Sequence, residues 1–116
     1  MDKEMLKKRT KEFGKAVIHL CRQLPNTWEA RTIANQLFRS ATSVGANYRA
    51  ACRGRSKADF ISKLGIVLEE ADESLYWLEI LNETQIAKSD ILAPLMKETD
   101  ELVAIFVVSL NTAKGK

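Results

Sequence analysis

Residues 39–51, RSATSVGANYRAA, place five Ala or Gly and three Ser or Thr within thirteen positions. The apolar residues Ala41, Val44, Tyr48 and Ala51 recur at steps of three and four, the spacing of one face of an α-helix. A helix so thinly covered brings a neighbour close, because the separation of packed helices follows the size of the side chains between them. Gly45 in mid-helix costs about 1 kcal/mol relative to Ala, so a close contact is expected opposite it. Ser40, Thr42 and Ser43 can bond back to the preceding turn, and Asn47 needs a partner if buried. The stretch reads as the middle of a helix packed tightly in a bundle.

The pattern continues on both sides. Upstream, Leu6, Thr10, Phe13, Val17, Leu20 and Leu24 form one helical stripe that Pro25 ends. Asn26, with Glu29 three residues later, predicts a cap for the second helix, whose stripe is Ala34, Leu37, Ala41, Val44, Tyr48 and Ala51. Downstream, Gly54 and the Ser56-x-x-Asp59 cap predict a tight connection near Arg53–Arg55. A third helix carries Phe60, Leu64, Val67, Ala71, Leu75, Leu78 and Leu81, with Glu69, Glu70, Asp72 and Glu73 on much of the rest. Residues 82–89 read as a loop. Ser89 and Asp90 can cap a fourth helix bearing Leu95, Leu102, Phe106 and Leu110, which Pro94 is expected to bend or delay. The expected fold is all-α, one domain over residues 1–116: an up-and-down antiparallel four-helix bundle with helices at about 4–24, 27–53, 57–82 and 90–113.

Composition agrees with a single folded domain: the 116 residues are 46% hydrophobic and 28% charged, with five Gly and two Pro. The longest apolar run, residues 104–110, is far too short to span a membrane, and the start MDKEMLKKR lacks the apolar centre of a secretory signal, so no membrane role and a cytoplasmic location are expected. Cys21 and Cys52 fall in helical segments and are expected to be buried, reduced thiols.

The net charge of +3 conceals an asymmetry. Residues 1–57 hold 13 Lys or Arg against 4 Asp or Glu, whereas residues 58–116 hold 5 against 11. Such a division suits either a basic surface for polyanions or two halves that pair with each other.

Residues 37–81 carry a resemblance. Arg39, Ser40, Ser43, Asn47, Ala50 and Ala51, then Ser56, Asp59, Phe60, Lys63 and Leu64, then Glu70, Ala71, Glu73, Tyr76, Trp77 and Leu78 match the signature of the 23S ribosomal RNA intervening-sequence proteins. Phe13, Val17 and the Leu24-Pro25 stop also fit, while the fourth helix matches only in general character. The resemblance implies a four-helix bundle and a homo-oligomer, a pentameric ring as in relatives and in the similar accessory proteins of diversity-generating retroelements. Those retroelement proteins act with a reverse transcriptase and RNA, which suggests nucleic acid as a partner. The family name records where its genes lie rather than a reaction.

Two groups of residues are candidates for function. Arg49, Arg53, Arg55 and Lys57 gather where the second helix meets the third, and Arg offers planar, multidentate donors suited to phosphate. The competing reading pairs Arg49 and Arg53 with the acidic face of the third helix or of another subunit. Around the start of the first helix stand Lys3, Lys7, Lys8, Arg9, Lys11 and Lys15, with Lys7, Lys11 and Lys15 in a row at steps of four. A row of this kind is either a solvated face or part of a basic rim that symmetry would multiply. Tyr48, Tyr76 and Trp77 lie on or beside packed stripes, which leaves Trp28 as the freer aromatic.

Enzymatic chemistry lacks its parts. His19 is the one histidine and has no Glu three residues away to make a di-metal motif. Four acids within residues 69–73 cannot all face one metal ion. No catalytic residue, metal site or cofactor is therefore expected. The expectation is a non-enzymatic homo-oligomeric bundle that binds structured nucleic acid, RNA or DNA, through Lys7, Lys8, Lys11, Lys15, Arg49, Arg53, Arg55 and Lys57. The alternative is a structural or adaptor oligomer with a protein partner, its charge asymmetry serving subunit pairing.

Overall fold

Asp2 starts the first helix, its carboxylate accepting the Met5 amide at 2.8 Å. In the computed structural model, which describes residues 2–116, that helix is α1 (Lys3–Gln23); α2 (Trp28–Cys52), α3 (Lys57–Glu83) and α4 (Ser89–Ala113) follow, with no strand among the described residues. The helices form an all-α up-and-down bundle of about 44 × 20 × 20 Å in which each helix packs on its sequence neighbours. Its core joins Leu6, Phe13 and Val17 of α1 to Leu37, Val44 and Tyr48 of α2, Leu64, Val67 and Leu78 of α3, and Leu92, Leu102 and Phe106 of α4. Tyr48 and Phe106 meet at a ring-centroid distance of 5.7 Å, tying α2 to α4 through the centre.

The helix ends differ from expectation in three places. The cap of α2 is Thr27, whose hydroxyl accepts the Ala30 amide at 3.3 Å. Asn26 does not cap, because its carbonyl accepts from Arg31 at 2.6 Å. At α4 the flanking residue is Lys88, with no side-chain cap, while the Ser89 hydroxyl donates across the connection to Asn82 at 2.7 Å. Pro94 neither delays nor ends α4. It and Asp90, whose carbonyl loses its partner, both face water, where solvent can satisfy the free oxygen. The loop is shorter than expected, since α3 runs to Glu83 and closes through left-handed Gln85, with the Ile86 amide reaching the Leu81 carbonyl at 3.1 Å.

The connection between α2 and α3 is built as its residues suggest. The Ser56 hydroxyl accepts the Asp59 amide at 3.0 Å, and the Asp59 carboxylate accepts the Arg55 amide at 3.3 Å. Lys63 donates to the same carboxylate at 2.9 Å and, as the largest cause, holds it below its usual range. Gly54 serves close approach: a methyl group there would lie 3.0 Å from the Ala51 carbonyl oxygen and 3.0 Å from Asp59.

The small-residue stretch has two neighbours. Toward α1, Gly45 lies against the Thr10 backbone and Gly14 against Ala41 and Thr42, so the two helices are pressed together along this line. Toward α3, the fully buried Ser40 and Ser74 hydroxyls meet at 2.9 Å, Ser40 donating in turn to the Leu37 carbonyl at 3.2 Å. Asn47 is half-buried and donates to the Ser43 carbonyl at 2.9 Å.

Candidate functional site

The antiparallel register of α1 and α2, set where Gly45 meets Thr10, brings the C-terminal half of α2 beside the N-terminal half of α1. A groove of about 680 Å³ runs between them. Thr42, Gly45 and Ala46 line it from α2, and Lys7, Lys8, Lys11, Lys15 and Arg49 stand along it. The two basic groups that are separate in sequence therefore join, Arg49 standing with the α1 lysines.

Arg53, Arg55 and Lys57 do not line the groove. They are exposed at the adjoining end of the bundle, where α2 gives way to α3. The start of α1 lies at that same end, as Lys3 stacks over the Phe60 ring at 4.9 Å from its centroid. Of the eight candidate residues, five thus stand around the groove and three beyond its mouth.

Their charges are differently engaged. Lys7 pairs with Glu4 at 3.0 Å and Lys15 with Glu12 at 3.1 Å, both at the surface and one turn apart on α1. Among the described residues, Lys8, Lys11, Arg49, Arg53, Arg55 and Lys57 make no ion pair, and all six are exposed. The pairing expected of Arg49 and Arg53 with the acidic face of α3 is made instead by Arg39, which reaches Glu73 at 3.0 Å and Glu70 at 4.0 Å. Arg9 likewise leaves the basic group, donating to Glu98 at 2.7 and 2.6 Å and to Glu101 at 2.8 Å on α4. The basic and acidic halves of the chain therefore pair through Arg9 and Arg39, and of the groove cations Lys8, Lys11 and Arg49 are left to solvent.

The acids of α3 gather no metal site. Glu70 and Glu73 turn to Arg39, Glu69 and Asp72 face water, and among the described residues no three His, Cys, Asp or Glu side chains cluster for a metal ion. Burial is the largest cause raising the Glu70 carboxyl above its ordinary value, opposed by Arg39. Cys21 and Cys52 are free thiols, half-buried rather than buried, and burial pushes Cys21 up.

The aromatics divide. Tyr48 is in the core, and Trp77 packs against it with its indole N–H donating to Glu73 at 3.2 Å. Tyr76 instead stands exposed, its ring 5.0 Å from that of Trp77. Trp28 is 72% exposed but lies at the far end of α2 from Arg49. Phe38, absent from the residues that the sequence singles out, is 48% exposed one turn before Thr42. The available signal is its place beside the Leu37–Ala41 stripe, and on the line of Thr42, Gly45 and Arg49. No described helix is long and apolar enough to cross a membrane.

These features define a helical bundle with an open basic groove between its first two helices. The chain belongs to the 23S rRNA-intervening sequence protein family, whose model matches residues 3–107. It is similar to a protein of unknown function from the S23 ribosomal protein family of Bacteroides thetaiotaomicron, with 32% identity, a TM-score of 0.88, and coverage of 96% of this chain and 99% of that one. No curated protein matches the chain.

Proposed function

We propose that this bundle is a non-enzymatic homo-oligomer that binds structured nucleic acid through its phosphate backbone. The observation that carries the reading is the row of Lys8, Lys11 and Arg49, exposed, without acidic partners among the described residues, and aligned along one groove. Arg53, Arg55 and Lys57 extend the positive field past the mouth of the groove. Repetition of the groove around a ring, the pentamer that the family resemblance suggests, would multiply a contact that is weak in one copy. Nothing in the groove offers a base-reading motif, so binding is to backbone and shape.

Fluorescence anisotropy with labelled folded RNA and duplex DNA tests this. Binding that falls steeply with salt and is lost in the Arg49→Glu, Arg53→Glu, Arg55→Glu variant, while light scattering shows the oligomer unchanged, is the expected result. No binding at low salt overturns it.

A second reading, an adaptor oligomer with a protein partner, is favoured by a different surface. α1 and α4 touch much less than the other neighbouring helices, and an apolar valley with Ile105 and the 65% exposed Val108 lies open between them. If the parent binds no nucleic acid at low salt and Val108→Glu alters the assembly while the groove variant leaves it intact, this reading replaces the first.

A further inference from the structure

We infer that the α1–α2 groove takes an unpaired strand of nucleic acid rather than a duplex, with phosphates on Lys8, Lys11 and Arg49 and a base stacked on Phe38. The inference rests on the polyanion reading above and narrows it: within a structured nucleic acid, the groove engages the unpaired stretches.

The two walls of the groove are helices pressed together at Gly45 and Thr10, so it is a valley between adjacent helices in a bundle 20 Å thick. A nucleic-acid duplex is about as broad as the bundle itself. It would rest across the helix crests and meet only the tips of the long cations. A single strand is narrow enough to lie along the valley. Lys8 and Lys11 lie one turn apart on α1, about 4.5 Å along its axis, so their long side chains can reach successive phosphates of an extended strand.

An aromatic ring supplies the second element. Phe38 precedes Thr42, Gly45 and Arg49 by four, seven and eleven residues, so it continues their line on α2 past the end of the cationic stretch. The distance from Phe38 to Arg49 along the axis is about 16 Å, a few nucleotides of extended chain. Phe38 is 48% exposed, and no ring lies stacked on it among the described residues. A flat apolar ring beyond a stretch of cations is the arrangement that proteins use for unpaired nucleotides: charges follow the backbone while the ring receives a base of any identity. A duplex keeps its bases in the stack and has nothing to offer the ring. An acidic peptide would satisfy the cations but would lack a planar partner for it.

The test is anisotropy of the full chain with single-stranded RNA, single-stranded DNA and a blunt duplex of equal phosphate number, with polyglutamate as competitor. Single strands are expected to bind at least about tenfold tighter than the duplex. Phe38→Ala should weaken single-strand binding by about fivefold or more, leave duplex binding and the salt slope unchanged, and be rescued by Phe38→Trp. The two single strands separate a stacking site shared by RNA and DNA from one that also requires the 2′-hydroxyl. Equal or tighter duplex binding overturns the inference, as does Phe38→Ala weakening both forms alike, loss of the oligomer in that variant, or displacement by polyglutamate as effective as by RNA. In those cases salt-sensitive binding to the groove would leave the broader reading standing. If no nucleic acid binds, both fall together.

Discussion

Gly45 of α2 lies so near α1 that a methyl group at position 45 would stand 3.3 Å from both the carbonyl carbon and the oxygen of Thr10. The backbone of one helix therefore fills the space that a side chain on the other would need. Gly65, in the middle of α3, has nothing within 4 Å of the same methyl position. The two glycines make a controlled comparison. Gly65→Ala should stabilise the fold by about 1 kcal/mol, the gain in helix propensity from removing glycine. Gly45→Ala carries the same gain but must displace α1, and should be neutral or destabilising. Gly45→Val should cost about 1–3 kcal/mol. Urea unfolding of the three variants checks this, and equal stabilisation by both alanines would mean that α1 and α2 are not in close contact.

Arg9 is the polar tie between α1 and α4, two helices that otherwise touch little. Its guanidinium grips Glu98 with two nitrogens and shares one of them with Glu101. Arg9→Met keeps most of the stem packed and removes the grip. The expected loss is about 1–2 kcal/mol, above that of an ordinary surface pair because the contact is bidentate and partly buried. High salt should narrow the gap between parent and variant. A loss that is insensitive to salt would point to packing of the stem as the cause.

The parts legible in the sequence are those that depend on periodicity. The stripe from Leu6 to Leu20 is the buried face of α1, and Gly45 marks a close approach because its cost within a helix has to be offset by a contact. The less legible parts depend on competition between equivalent groups or on register. Asn26 and Thr27 are both able to cap; Thr27 does so, while the Asn26 carbonyl accepts from Arg31 instead. Leu92 is missing from the expected stripe because Pro94 obscures the start of α4, yet it is fully buried. In the sequence the groove is visible only as two unrelated basic segments. Nothing local in either says that Arg49 faces Lys8 and Lys11; that follows from Thr10 being opposite Gly45, a relationship between positions 35 residues apart.

Glu70 gives the fold a pH dependence of a particular sign. One of its carboxylate oxygens is buried without a hydrogen-bond partner, and Arg39 comes no nearer than 4.0 Å. Burial raises its pKa from the ordinary 4.5 more than Arg39 lowers it, with Glu73 and Glu69 adding to the rise. The folded state then holds this proton more tightly than the unfolded chain does, so the ionised group opposes folding above the raised pKa, and that penalty fades as pH falls through it toward 4.5. Glu70→Gln should therefore be more stable than the parent at neutral pH, with the difference shrinking on acidification. Unfolding curves at several pH values measure it. A parent more stable than the variant at neutral pH would show that the attraction to Arg39 outweighs burial.

The groove makes one further division among the candidate residues, between the cations that line it and those beyond its mouth. Removing one cation that neutralises a phosphate should flatten the dependence of log affinity on log salt by about 0.7 for a single strand. Replacing Lys8, Lys11 and Arg49 together by Gln should thus reduce the slope by about 2. Replacing Arg53, Arg55 and Lys57 should reduce it by less than about 1, because these side chains act on a strand in the groove only through the field at its end. The residue types alone would favour the second set, which holds two of the three arginines of the α2–α3 junction. Position reverses that order, since Arg49 alone of the three stands with the α1 lysines. If the second set carries the larger slope, the polyanion crosses the end of the bundle where α2 passes into α3. Phe38, more than three turns of α2 away, would then take no part in holding it.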